Sequence, residues 1–239
     1  MIRDFISGAS YVFRGFSLLK HPSLRRFVAV PLLINTLLFS AATWWAWKLL
    51  NKYILNGLPG WLEWLAWILV PVFSIAMLVF VFYTFTLIAN LVGAPFNSKL
   101  AEKVEELLAG EQIDQKSGMS ALAADALKSI ASEFKKLLYL AAWSLPLLIL
   151  FLIPGINAFA PFLWLAFSAW MLSLEYVDCP MGNHGITFKQ QRKKLKQNRW
   201  LAWGFGSMVL VMTLIPVLNF FAMPVAVIGA TVLWVEKLR

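Results

Sequence analysis

Charged residues are scarce in this sequence, and that scarcity excludes a water-soluble globule. Only 14% of the 239 residues are Asp, Glu, Lys or Arg, against about 25% in soluble domains. Cysteine is nearly absent: the single Cys179 rules out an internal disulfide framework. Histidine is confined to His21 and His184, which leaves no second ligand cluster for a metal centre. No phosphate loop of the form G-x-x-x-x-G-K-S/T occurs, so the chain shows no ATPase site of its own. No Asp or Glu interrupts a long apolar run, and the usual sign of an intramembrane proton relay is missing. No catalytic residue, cofactor or metal is expected.

What is abundant is apolar surface. Hydrophobic residues make up 60% of the chain, and the mean hydropathy is +0.72. Both point to an integral membrane protein. Twelve Trp and five Tyr suit the water–lipid boundary, where amphipathic rings settle. The excess of 21 basic over 12 acidic residues needs no nucleic acid, because membrane orientation accounts for it. The N-terminus lacks the apolar core and small-residue cleavage site of a signal peptide. The mature protein is expected to begin near Met1. Phe5, Tyr11, Val12, Phe16 and Leu19 suit an amphipathic helix near the membrane interface.

Charges divide one membrane domain, residues 1–239, into segments. After an interfacial stretch (1–26), the uncharged run Phe27–Trp47 is long enough to cross a hydrocarbon core of about 30 Å. A polar turn with Lys48, Asn51, Lys52, Asn56 and Glu63 follows. The second run, Trp64–Ser98, spans with length to spare even if "GAPFNS" is a loop. Residues 27–98 therefore predict a transmembrane helix pair.

Residues 99–136 change character, holding seven of the twelve acids. "LAEKVEELLAG" places Leu100, Val104, Leu107 and Leu108 at helical spacing and stops on Gly110. "EQIDQKSGMS" reads as a turn, and a second amphipathic helix leads to Lys136. These helices are expected in the cytoplasm or along the membrane surface.

Two further uncharged stretches, in 137–175 and 200–235, carry related motifs, "LIPGINAFAP" (152–161) and "LIPVLNFFAMP" (214–224). Proline removes a helical hydrogen bond, and Asn or Gly tolerates a turn, so each motif reads as a hairpin tip. Arms of about 16 or 17 residues reach roughly 24–26 Å, the short edge for a span. The uncharged tips gain little from water, so partial insertion and four ordinary spans both stand. Between the hairpins lies a basic connector, 176–199, ending in "KQQRKKLKQNR". The fold class expected is all-α: a long transmembrane pair, two shorter Pro/Asn-tipped hairpins and amphipathic helices.

If every hairpin returns the chain to its starting side, only Lys48 and Lys52 among the basic residues face the other way. The positive-inside rule then makes the crowded face, with both termini, cytoplasmic. The basic connector would attract anionic lipids. "DCPMGNHG" brings Asp178, Cys179 and His184 close in sequence, but Pro180, Gly182 and Gly185 favour a structured turn capped by Asp178 over a chemical site.

The stretch "HPSLRRF" offers two readings. Ser23 after Pro22 is a good helix N-cap. A helix starting there would leave the N–H groups of Leu24, Arg25 and Arg26 without intrahelical partners. Those donors, the positive end of the dipole and two guanidinium groups suit an oxyanion. The other reading is that both arginines reach lipid phosphate and fix topology.

Taken in order, "HPSLRRFVAVPLLIN", "ANLVGAPFNSKLAE", "LEYVDCP…NH" and "LIPVLNFFAMPVAVIGAT" resemble the CysZ family of sulfate permeases, over about Phe5 to Trp234. The resemblance implies sulfate uptake through the bacterial inner membrane for cysteine synthesis, by a protein that is not an enzyme. It also implies partly inserted hairpins and a homo-oligomer. The family's sulfate-binding motif corresponds to Ser23, Leu24, Arg25 and Arg26, with Ser23 where many relatives are expected to carry glycine. A channel-like or facilitated permease is the leading reading. A non-transporting membrane scaffold, acting on lipid or on a separate transporter, is the alternative.

Overall fold

A computed structural model describes residues 1–56, 59–110 and 119–239, excepting the side chains at 31, 32, 35, 54, 55, 82–95 and 119–133. Among the described residues there are eight α-helices and no strand. They are α1 (Ile2–Leu19), α2 (Pro22–Leu50), α3 (Ala66–Ala109), α4 (Met119–Leu152), α5 (Ala160–Asn183), α6 (Phe188–Gln197), α7 (Arg199–Leu214) and α8 (Pro216–Leu233). A π-helical turn, Trp234–Leu238, closes the chain. Most of the expected turn 111–120 lies outside the described residues. The chain divides into two compact units, one of residues 1–25 and 97–239, the other of residues 26–96.

The unit 26–96 holds the stretch expected to be a transmembrane pair, and within it Gly60–Val81 is long and apolar enough to cross a membrane. Between α2 and α3 the chain passes through a π-helical turn (Asn51–Leu55) and a 3-10 turn (Gly60–Leu65). Trp44 lies under the Lys48 ammonium at 3.9 Å, and Lys52 sits over Tyr53 at 5.0 Å. Exposed Trp61 and Trp64 add to this aromatic end, the composition that settles at headgroup level. The α3 helix does not break at "GAPFNS". It continues for 44 residues into "LAEKVEELLA" and stops at Gly110, whose φ of +68° only glycine adopts at little cost. The face it buries is Leu100, Ala101, Val104 and Glu105, while Leu107 and Leu108 are exposed. The apolar stripe read from sequence is therefore rotated by about one position, because Glu105 has a partner inside.

The larger unit is built around α1. This helix buries Gly8, Tyr11, Val12 and Gly15 against α7 and α8. Glycine is required because the backbones nearly touch. A Cβ on Gly8 would overlap the Leu201 carbonyl, and one on Gly204 would overlap the Phe5 carbonyl. Gly15 meets the Val225 carbonyl and Gly229 meets that of Tyr11 in the same way. Such small-residue seams hold helices where lipid removes the hydrophobic drive to associate. The opposite side of α1 exposes Ile2, Ile6 and Phe13, an apolar face that suits the interface. Helix α8 is buried nearly all round from Val225 to Leu233.

The two hairpins share more than sequence. In each, the N–H of the motif asparagine donates to the carbonyl of the isoleucine four residues earlier: Asn157 to Ile153 at 3.0 Å, and Asn219 to Ile215 at 2.9 Å. The alanine after the motif Phe is buried in both, Ala160 and Ala222. The helices that carry the arms are longer than the expected 16 or 17 residues in all but one case. Phe134–Leu152, Ala160–Asn183 and Pro216–Leu238 are long and apolar enough to cross a membrane, as is Gly60–Val81. Helix α7, with 16 residues, falls just under the roughly 17–25 that a span needs.

Candidate anion-binding site

Helix α2 starts at Pro22, so Ser23 sits inside the first turn and not at its cap. The Ser23 hydroxyl instead bonds His21 Nδ1 at 2.7 Å. The Leu24 N–H donates to the His21 carbonyl at 3.0 Å. The proposed set of free backbone donors thus loses Leu24, whose side chain is fully buried in the core. Proline explains the shift: with φ preset and no N–H to lose, it begins a helix better than it precedes one.

Arg25 is exposed, and its Nε donates to the Lys20 carbonyl at 3.1 Å. A cation there caps the end of α1 and favours its negative dipole end. Arg26 is exposed, with its guanidinium carbon 5.0 Å from the Phe27 ring centre. Neither arginine is paired with a carboxylate among the described residues. Ser23, Leu24 and Arg25 lie at the edge of the larger unit and Arg26 opens the other. Guanidinium groups without carboxylate partners can still take the paired oxygens of an oxyanion.

Several other cations of the larger unit are engaged. Lys136 is buried and holds Asp178 at 2.8 Å and Glu175 at 3.4 Å. Arg14 grips both carboxylate oxygens of Glu236 at 2.6 Å, and the Tyr11 hydroxyl donates to the same carboxylate at 3.1 Å. Burial, then the neighbouring Glu236, pushes the Tyr11 hydroxyl above its ordinary pKa. Lys194 donates to the Leu238 carbonyl at 2.6 Å and lies 4.8 Å over the Trp234 ring. These contacts collect Arg14, the bases of both hairpins, α6 and the C-terminal turn at one end of the unit.

The "DCPMGNHG" stretch is not a turn capped by Asp178. Helix α5 runs through Pro180 to Asn183, because one lost hydrogen bond near a helix end is tolerated. Asp178 is spent on Lys136, and the turn comes at His184–Gly185, where φ is +68° at Gly185. His184 Nε2 meets Glu105 Oε1 at 2.7 Å, and Asn183 donates to the Ser98 carbonyl at 2.9 Å. Glu105 is 1% exposed, and its Oε2 has no hydrogen-bond partner among the described residues. Sequence reading missed this pair. Its only trace is the spacing 100, 101, 104, 105, which puts one acid on the buried face. Among the described residues no cluster of three or more His, Cys, Asp or Glu is placed to hold a metal.

A helical chain with four membrane-length apolar helices among its described residues defines an integral membrane protein. A family model described as "Sulfate transporter CysZ/Etoposide-induced protein 2.4" matches residues 11–224. The chain is 41% identical over 237 residues to the sulfate transporter CysZ of Pectobacterium atrosepticum, covering 98% of this chain and 86% of that one. It is 42% identical over 237 residues to that of Vibrio parahaemolyticus, covering 98% and 96%. With the Salmonella typhimurium protein of the same name the identity is 41% over 241 residues, covering 98% and 93%. The chain belongs to this family of membrane proteins.

Proposed function

We propose that the protein conducts sulfate across the bacterial inner membrane, as a channel-like or facilitated permease supplying cysteine synthesis. The observation that carries this reading is the pair Arg25 and Arg26, exposed at the start of α2 with no carboxylate partner among the described residues. The relatives' shared name, sulfate transporter, supplies the substrate. Ser23, Leu24, Arg25 and Arg26 form the proposed sulfate site. Leu24 anchors the turn in the core, Ser23 orients it through His21, and the guanidinium groups take the oxyanion.

The reading has both termini in the cytoplasm and one membrane domain that assembles as a homo-oligomer. The gathering of charges at one end of the larger unit supports that orientation. Helix α7, too short for a comfortable span, favours partial insertion of the second hairpin. Anionic lipids are the expected companions of the basic connector. Bringing a divalent anion into a negative interior costs about 4.6 kcal/mol per 100 mV. Inward flow therefore runs on a concentration gradient, on metabolic removal or on a coupled ion.

Liposomes holding the purified protein should take up labelled sulfate. Arg25→Ala with Arg26→Ala should cut flux and binding at least tenfold. A folded double mutant that binds sulfate as well as the parent would overturn the site. Absence of flux from the parent would favour the scaffold.

A further inference from the structure

A cleft of about 360 Å³ lies between the membrane-entry turn of α4 and the amphipathic helix α6. Its volume falls within the roughly 300–1,000 Å³ typical of ligand sites. Lys135, Lys189 and Arg192 bring positive charge to it, and Leu138, Tyr139 and Phe188 supply an apolar floor. Among the described residues no carboxylate lines it. Tyr139 and Phe188 meet edge to face at 5.8 Å, and the Tyr139 hydroxyl accepts from Trp170 Nε1 at 3.2 Å. Arg192 lies 5.0 Å over the Tyr139 ring and 6.0 Å from that of Phe188. The guanidinium is therefore held at the cleft by stacking, with no carboxylate pairing it among the described residues.

Position selects the ligand. Lys135 and Lys136 are the last charges before the apolar run that starts at Leu137, and Tyr139 lies just inside it, which puts the cleft where a spanning helix would meet the headgroups. Below the cleft, α4 exposes Leu137, Leu138, Leu145 and Trp143. Three cations above an exposed apolar helix face match a molecule with a phosphate at one end and acyl chains at the other. We propose that this cleft is a discrete binding site for the phosphate headgroup of an anionic membrane lipid. Lys135, Lys189 and Arg192 hold the phosphate, and the lipid's chains run down α4. The site differs from diffuse attraction to the basic connector, because α4 contributes one cation and both hairpin arms fix the aromatic floor.

Native mass spectrometry of the purified full chain, titrated with phosphatidylglycerol, tests this. Lys135→Gln, Lys189→Gln and Arg192→Gln together should weaken the tightest lipid adduct about tenfold. A variant losing three charges elsewhere, Arg3→Gln with Lys193→Gln and Lys196→Gln, should keep it. Arg192→Lys alone, which preserves charge but not the planar stack, should fall between. Equal weakening in the charge-matched control would overturn the site in favour of a uniform surface field. So would equal binding of phosphatidylcholine. Displacement of the lipid by millimolar inorganic phosphate or sulfate would assign the cleft to a free anion instead.

Discussion

In the first hairpin, α4–α5, the Leu-Ile-Pro motif opens into a turn between Leu152 and Ala160, whereas in α7–α8 the same three residues give a break at Ile215 alone. The residue after proline accounts for the difference. Gly155 takes a φ of +84°, the second central position of a Pro-Gly turn. Its counterpart Val217 is β-branched and excluded from that region, so Pro216 becomes the first residue of a helix. Away from the tips the contrast deepens. The first hairpin is tied at its base by polar contacts, Lys136–Asp178 and Glu105–His184, and its α5 arm meets α7 where a Cβ on Gly206 would overlap the Ala169 carbonyl. The second is locked by glycine contacts to α1 and is buried along most of α8. Related motifs thus end in hairpins with different tethers: the first adds polar contacts at its base to a close backbone contact between α5 and α7, while the second rests on glycine seams with α1 and burial along most of α8.

The largest test of that contrast is Gly204→Val. Its side chain has no space against the Phe5 backbone, so the α1–α7 seam must open, at about 3 kcal/mol or more. A sharp loss of monodisperse protein on size exclusion is expected. Gly182→Ala, at the open end of α5, should elute and melt like the parent. Next comes the polar lock of the first hairpin. His184→Ala leaves the buried Glu105 carboxylate alone, at roughly 3 kcal/mol, while Glu105→Leu added to it should recover most of the loss in a thermal melt. Recovery of nothing would mean that the pair is not what holds α3 to α5. The smallest effect is expected at the tips. Gly155→Val forces a β-branched residue to positive φ, at about 1–2 kcal/mol, and Val217→Gly should cost about 1 kcal/mol or less. Equal costs at both sites would remove the reason given for their different turns.

How far these features were legible in sequence varies by region. The hairpin tips were legible because proline and glycine act locally, and the repeated Asn marked a bond that both tips make. The helix boundaries at "GAPFNS" and at Lys136 were not. Gly93 and Pro95 permit a loop within "GAPFNS", yet α3 continues through them, and α4 joins the amphipathic stretch before Lys136 to the apolar run after it without a break. At the arginines, residue type was informative and register was not. Ser23 is a strong cap by preference, yet Pro22 takes the first helical position and moves the turn by one residue.

By itself the sequence determined the solvent of this protein, its helices and the crowding of its cations, because apolar run length and charge order are properties of the chain. Only the tertiary structure decided which glycines are seams, since a missing Cβ matters only where another backbone arrives. It alone paired Glu105 with His184 across 79 positions, and it alone brought Lys135 beside Arg192 over a single aromatic floor. Those choices depend on which helices pack together, and no local preference encodes that.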